Sequence, residues 1–472
     1  MYETPEFKIA DGPFIPEWHS LEAFRVPQWY QNAKFGIFIH WGPYSVPAFG
    51  DEWYSRKMYI KGDPAFEHHV KTWGPQNKFG YKDFVPLFKA DKFDADAWMD
   101  LFVRAGAKYV VPVAEHHDGF AMYDTEFNPW NARNMGPRRD VVGEIAAAAR
   151  RRGVVFGVSN HRAEHWWFMN GGREFDSDVN DAAFEEFYGP AKQQSETPSK
   201  HFKEDYLARL CELVDNYQPQ LFYFDTWAER PPLSPYLRYF AAHYYNRAAS
   251  WGLPVAINYK NHMFAPGAAV PDVERGQLGD IQPFFWQSDT SVGMKSWCHI
   301  EGETYKSPDL LIGDLCDIVS KNGTLLLNIG PRADGSIPDE QVAILEAIGA
   351  WLKTNGEAIY GTRPWRVFGE GPTVVPEGHF TDAKRVSYTS ADIRFTTHGQ
   401  NALYAICLAA PSGEVVIRSL GTTLRLAQRG IKQVEWLGTN ESVLWKQDET
   451  GLRVACPTGP GGIDARVIKI RF

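Results

Sequence analysis

The 472-residue chain is poor in the residues that build covalent or metal frameworks. Its five cysteines, Cys211, Cys298, Cys316, Cys407 and Cys456, are odd in number, far apart and without CxxC spacing. Neither a disulfide scaffold nor a structural zinc site is therefore expected. Long apolar runs are missing too, and none approaches the ~18 to 20 residues of a membrane span. Basic charge is in deficit, with 49 Lys and Arg against 58 Asp and Glu and a net charge of −9. That balance gives no reason to expect nucleic acid or an anionic membrane as partner. Met1 to Pro16 holds acidic and proline residues but no apolar h-region. It reads as a cytoplasmic start, or as an exported chain whose leader has been removed. No Gly-rich phosphate loop follows the first predicted strand, which argues against a dinucleotide fold.

Aromatic residues are abundant instead. Fourteen of the 17 tryptophans precede residue 352. Such rings fill large cores, and their flat faces also stack on sugars. Over the same stretch, short apolar segments alternate with amphipathic ones. Strands are predicted at Phe35–His40, Ala107–Ala114, Val154–Ser159, Leu221–Asp225, Pro254–Asn258, Phe284–Gln287 and Thr324–Ile329. Helices are predicted after Asp94, across Lys203 to Asn216, and from the Ser307-Pro308 cap pair to a stop at Asn322-Gly323. A last one ends at Asn355-Gly356. This repetition implies a mostly parallel sheet closed as a (β/α)8-like TIM barrel, assigned to residues 1–358. From 359 to 472, short β-rich runs broken by Gly, Pro and Asn read as a C-terminal antiparallel β-sandwich.

Chemistry is expected at the C-terminal rim of such a barrel. Asp225 closes the apolar run Leu221-Phe222-Tyr223-Phe224. A charge there has little structural reason, because burying an unpaired carboxylate costs several kcal/mol. A salt bridge or a helix N-cap is the plainer explanation. Three more clusters fall on the same rim: Phe38-Ile39-His40-Trp41-Gly42, Glu52-Trp53-Tyr54, and Glu115-His116-His117-Asp118-Gly119-Phe120. His116 and His117 point apart if the segment is extended, and no HxxxH spacing accompanies them, so no metal or other cofactor is assigned.

The segments Phe35 to Gly42, Glu52-Trp53-Tyr54, His116 to Phe120, Asn322 to Gly330 and Gly356 to Tyr360, taken in order, resemble the α-L-fucosidases of glycoside hydrolase family 29. The resemblance spans about residues 20 to 366. It implies a barrel followed by a β-sandwich, and hydrolysis of terminal α-L-fucosides with retention. Its substrate would be a fucosylated oligosaccharide or glycoconjugate; a homo-oligomer is left open. Retention requires two carboxyl groups ~5 Å apart. By resemblance Asp225 is the nucleophile, and His40, Glu52, Trp53, His116 and His117 bind the sugar. Phe38, Tyr223 and Trp297 are assigned to an apolar wall against the C5 methyl of fucose.

The acid/base is less fixed within this family. Many members carry Trp-Glu where this chain has Trp286-Gln287, and glutamine cannot donate and retrieve a proton. Glu274, on the loop expected after the fifth strand and past Asn258-Tyr259-Lys260, is assigned the role, with Asp289 second and Glu301 and Glu303 on the next loop as outside options. Ser296-Trp297-Cys298-His299 departs from the family pattern on what is expected to be the leaving-group side. Asn160 to Trp167 is expected to shape the same region. Two alternatives are kept: a same-fold glycosidase accepting related sugars such as α-L-galactosides, and a catalytically weak sugar-binding homologue, for which Gln287 is the motive.

Overall fold

The computed structural model describes residues 5–439, 442–457 and 463–472. Eight parallel strands close into a barrel in chain order: β1 (Phe35–Ile39), β2 (Tyr109–Glu115), β3 (Val155–Asn160), β4 (Leu221–Phe224), β5 (Ala256–Tyr259), β6 (Val270–Glu274), β7 (Trp286–Ser291) and β8 (Gly323–Ile329). β8 pairs with β1 to complete the ring. β1, β2, β4 and β8 are buried along their whole length, which is why they read as continuous apolar runs.

The helices that follow β1 include α1 (Ala95–Arg104), α2 (Val141–Arg151), α3 (Lys200–Tyr217), α4 (Ser234–Trp251), α5 (Pro308–Ser320) and α6 (Asp339–Asn355). The caps read from sequence form. Asp94 accepts from the amides of Asp96 and Ala97, and Ser307 from that of Leu310, satisfying donors that a helix start leaves free. At the end of α6, Gly356 has φ −60° rather than a left-handed value, and the chain runs on as a short 3-10 turn. The reversal comes later, at Gly361 with φ 69°.

Two strands differ from expectation. β6 has the sequence Val-Pro-Asp-Val-Glu, and β7 begins at Trp286 and runs through Gln-Ser-Asp-Thr-Ser. Neither has the apolar texture of a buried strand, because both turn polar groups into the barrel. No helix lies between β5 and β6 or between β6 and β7, which is the irregularity of this barrel.

After α6 the chain builds two antiparallel sheets. One has the order β13 (Gln433–Trp436), β16 (Arg466–Arg471), β11 (Ala402–Cys407), β10 (Ile393–His398), β9 (Arg363–Glu370). The other has the order β12 (Glu414–Ile417), β15 (Gly451–Ala455), β14 (Trp445–Asp448). Phe395, Leu403, Ile417, Leu452 and Ile468 form their shared core, the packing of a β-sandwich. Asp317 of α5 takes both Lys321 and Arg394 in buried ion pairs, which ties β10 to the barrel.

One buried charge at the opposite end of the barrel yields a prediction. Lys34 precedes β1, is fully buried, and its Nζ has no hydrogen-bond partner among the described residues. It lies over the Phe285 ring, 5.3 Å from the centroid. Burial, helped by Arg363, pushes the Lys34 amine down to about 7. In the unfolded chain a lysine titrates near ~10.4. The unfolded state therefore binds this proton over a range where the folded state does not. Stability falls as pH drops from ~10 to about 7 and levels off below. Lys34→Met, which keeps the stem, should stabilise the protein at pH 7 by ~1–3 kcal/mol. Thermal unfolding at pH 7 and near ~10 should show that gain shrinking at the higher pH; an equal gain at both would rule out the amine as its source.

Candidate active site

A cavity of about 350 Å³ opens at the C-terminal ends of the strands. It is lined by Phe38, His40, Glu52, Trp53, His116, His117, Asp225, Glu274, Asp289 and Trp297 from the sequence reading, and by His161, Lys260 and Phe380 besides. Each arrives by a short route. His40 follows β1, His161 follows β3, Asp225 follows β4 and Lys260 follows β5, while Glu274 is the last residue of β6.

Asp225 sits at the centre. Its Oδ1 is 2.8 Å from Lys260 Nζ, and its Oδ2 is 3.0 Å from His161 Nδ1 and 3.2 Å from His117 Nε2. Burial alone would raise its pKa, but Lys260, His161 and His117 hold the carboxyl well below the usual range. It is an ionised, largely buried carboxylate. The salt-bridge explanation is thus met in full, while the side chain still faces the cavity.

The histidines divide into two kinds. His117 donates from Nδ1 to the His161 carbonyl at 2.8 Å, while its Nε2 faces Asp225. Both nitrogens meet acceptors, so the ring is an imidazolium. Burial opposes that charge, but Glu164 and Asp225 outweigh it and raise the pKa to about 9. His40, His116 and His161 are neutral, pushed down first by burial; neighbouring histidines add to this at His40 and His116, and at His161 burial, with His117 and Lys260, outweighs the pull of Asp225. The Asn328 amide nitrogen donates to Ser291 Oγ and Trp297 O, so its oxygen is the acceptor that takes His40 Nδ1 at 2.7 Å. The proton is on Nδ1, and Nε2 is an acceptor.

The strand-based argument that His116 and His117 point apart fails. The chain bends after Glu115, and the two rings lie 4.4 Å apart, both on the cavity. Ligand-capable atoms of His40, His116 and His161, and of His117, His161 and Asp225, lie within 4.8 Å of one another. In the second group Asp225 is already neutralised by the Lys260 ammonium, which repels a cation.

Glu52 accepts from the Trp297 amide at 3.0 Å and from Ser296 Oγ at 3.3 Å, fixing the loop that carries Trp297. That ring lies 5.1 Å from His40 and 6.2 Å from Phe38, inside the wall. Trp53 meets the His117 ring at 5.5 Å. Tyr223 is not on the cavity surface. It lies beneath Phe38, ring centroids 5.0 Å apart, and donates its hydroxyl to Asp289 at 2.8 Å.

Glu274 ends β6 and does not lie on a loop. Lys260 Nζ reaches it at 2.7 Å while holding Asp225 at 2.8 Å. Two oxygens on one nitrogen are separated by no more than those two distances end to end, which does not exceed the ~5.5 Å upper end of the spacing seen in retaining enzymes. Burial, Asp289 and Asp225 raise the Glu274 pKa to about 7 against the opposing pull of Lys260. Asp289 is deeper, its side chain 1 % exposed against 12 % for Glu274. The carboxyl of Asp272 bonds to it and is raised well above the usual range by burial and by Asp289, so the proton of that pair sits on Asp272. Gln287 does not face the cavity; it accepts from Tyr30 Oη and donates to Asp272. Glu301 and Glu303 do not line the cavity either; Glu303 instead accepts the Ser296 amide.

Two residues that touch Asp225, His161 and Lys260, were not assigned a role from sequence. Both stand directly after a barrel strand, the same signal that picked out Asp225. His161 was absorbed into a longer aromatic stretch, and Lys260 served only as a marker for the segment before Glu274.

Comparison with known proteins follows the geometry. Residues 4–357 match the family described as Alpha-L-fucosidase. The chain is 32% identical over 457 residues to the plasma alpha-L-fucosidase of Homo sapiens, covering 94% of this chain and 88% of that protein. It is 31% identical over 463 residues to the tissue alpha-L-fucosidase of Rattus norvegicus, covering 96% and 91%. The crystal structure of Thermotoga maritima alpha-fucosidase in complex with fucose is 31% identical, covers 97% of this chain and 100% of that one, and superposes with a TM-score of 0.77. The complex of that enzyme with a mechanism based inhibitor gives 0.78 at the same identity and coverage.

Proposed function

The chain belongs to the alpha-L-fucosidase family, and from that premise we propose that it hydrolyses terminal α-L-fucosides of oligosaccharides or glycoconjugates with retention, through a covalent fucosyl-enzyme. The observation that carries the mechanism is the pair Asp225 and Glu274, of opposite protonation state, gripped by one ammonium.

In the first step an Asp225 oxygen attacks the anomeric carbon while Glu274 gives its proton to the departing oxygen. In this reading His40, His116, Glu52 and Trp53, which line the cavity, bind hydroxyls and ring as the oxocarbenium-like transition state forms. Asp225 loses its charge on forming the ester, and Glu274 acquires one on losing its proton. Both touch Lys260, so that ammonium keeps one anionic partner throughout. In the second step Glu274, now the base, takes a proton from water, which attacks the same carbon and frees Asp225. His117 and His161, whose Nε2 and Nδ1 stand 3.2 and 3.0 Å from Asp225 Oδ2, receive it back as an anion.

Phe38 and Trp297 supply the apolar wall assigned to the C5 methyl, a contact worth ~1–3 kcal/mol in discrimination. The motive for a catalytically weak homologue falls away, because Gln287 serves the barrel interior and leaves the cavity to Glu274. Activity on an aryl α-L-fucoside, with a retained anomeric product followed by NMR, tests the whole reading; an inverted first product would refute retention.

Asp289 is assigned an electrostatic part. Its charge is one of the influences that raise Glu274. Asp289→Asn should therefore move the alkaline limb of kcat/KM to lower pH by ~0.5–1 unit. If that variant instead loses the limb altogether and responds to azide, the proton donor is Asp289.

A further inference from the structure

Residues 376–382 follow the last helix of the barrel, yet they lie on the catalytic rim. Their backbone is fastened to the chain around the end of β6. Gly378 N–H donates to Gln277 O at 2.8 Å, Phe380 N–H to Glu274 O at 2.8 Å, and the amides of Thr381 and Asp382 to Arg275 O at 2.8 and 2.9 Å. The approach is so close that a Cβ on Gly276 would stand 1.8 Å from the Gly378 carbonyl oxygen; only glycine fits there. The Asp382 carboxylate closes the clamp, taking Lys306 Nζ at 2.7 Å, Thr290 Oγ1 at 3.1 Å and Arg275 Nη1 at 3.3 Å. His379 Nδ1 accepts the Glu274 amide at 3.1 Å. Both backbone polar groups of Glu274 are thus engaged by this one segment.

Phe380 is the anomaly within the clamp. Its ring faces the cavity with 60 % of the residue exposed. Its φ is 55°, a left-handed conformation that a bulky L-residue takes only at a cost. Strain persists where the surroundings impose it, and it gathers at sites with a function. An unstrained backbone with the phenyl group packed away would be more stable on its own. Both features make sense if the ring has a ligand.

Its address says which one. Glu274 hands its proton to the leaving oxygen, so a ring anchored on the Glu274 backbone stands on the leaving-group side of the cavity. We propose that Phe380 is the stacking platform of the leaving-group subsite and receives the apolar face of the pyranose to which fucose is joined. Aromatic rings bind sugars this way because the C–H groups of one pyranose face meet the negative face of the ring. This inference rests on Glu274 being the acid/base. Trp297, the residue expected to lie on the leaving-group side, is packed against His40 and Phe38 instead, which leaves that side to Phe380.

The test compares two substrates that share fucose and differ beyond it: fucosyl disaccharides in the linkages that the wild type cleaves, and α-L-fucosyl fluoride, whose leaving group has no ring. In Phe380→Ala the ratio of kcat/KM for disaccharide to that for fluoride should fall about tenfold. Phe380→Trp, which keeps an aromatic face, should restore or exceed the wild-type ratio. Loss of local structure around Glu274 would also lower the ratio, but it would displace the alkaline limb of kcat/KM, which in Phe380→Ala should stay at its wild-type pH; a displaced limb overturns the platform. A ratio that stays at the wild-type value in Phe380→Ala overturns the subsite. A wild type that cannot hydrolyse the fluoride would instead overturn the fucosidase reading beneath it, so the two failures are distinct.

Discussion

Asp225→Asn should lower kcat/KM on an aryl α-L-fucoside by roughly 10⁴-fold, equivalent to about 5 kcal/mol of transition-state stabilisation. The amide keeps the shape of the side chain but cannot form the glycosyl ester. It also leaves the Lys260 ammonium and the His117 imidazolium without the anion they share, and a buried charge stripped of its partner costs several kcal/mol. A drop in melting temperature is therefore expected beside the loss of rate. A purely structural aspartate would give that drop too, so the decisive result is chemical. A fluorosugar that traps glycosyl-enzymes should add its mass to the peptide holding Asp225. In Asp225→Gly, azide entering from the vacated face should give β-L-fucosyl azide from an α-L-fucoside. Wild-type rates in Asp225→Asn, or a label on another peptide, would remove Asp225 from its role.

Glu274→Ala should split substrates by leaving group. Fucosyl disaccharides, whose leaving oxygen needs a proton, should lose roughly 10²–10⁴-fold, while aryl fucosides with acidic phenols lose far less in the first step. The pH profile carries an independent signature. Glu274 must be protonated to act as acid and titrates at about 7. The wild type should thus lose kcat/KM as pH rises through about 7, and the alanine variant should lack that limb. Asp225, held far below the usual carboxylate range, stays ionised through the same interval and contributes no competing limb. Azide should accelerate Glu274→Ala and yield α-L-fucosyl azide, the opposite anomer to that from the nucleophile variant, because the intermediate has already been inverted once. An alkaline limb that persists in Glu274→Ala would place the acid elsewhere.

These assignments show how far sequence reasoning reaches in such a barrel. Strands whose interior is apolar announce themselves: β1, β2, β4 and β8 were legible, and with them His40, the His116-His117 pair and Asp225. β6 was not, and β7 was placed too early, because their inward positions hold Asp272, Glu274, Gln287 and Asp289. Polar groups there erase the hydrophobic signal by which a strand is recognised. The same feature makes those strands the catalytic floor and hides them. Glu274 was reached through family resemblance alone, and as a loop residue. His161 and Lys260 were visible as residues but not as partners, since only the closed ring brings the ends of β3 and β5 to the Asp225 carboxylate. The mutual orientation of His116 and His117 required the bend after Glu115, which an extended reading of the segment excludes.

The missing helices around β6 have a consequence for the order in which the enzyme becomes competent. A ribosome that has released the chain as far as α6 has delivered every strand of the barrel, Asp225, its neighbours Lys260, His161 and His117, and the other cavity histidines. It has not delivered residues 376–382, which engage both backbone groups of Glu274 and pin Arg275. In the proposed mechanism Glu274 is thus the last residue of the site to receive its backbone support, and a barrel complete in its strands holds Asp225 before it holds a finished acid.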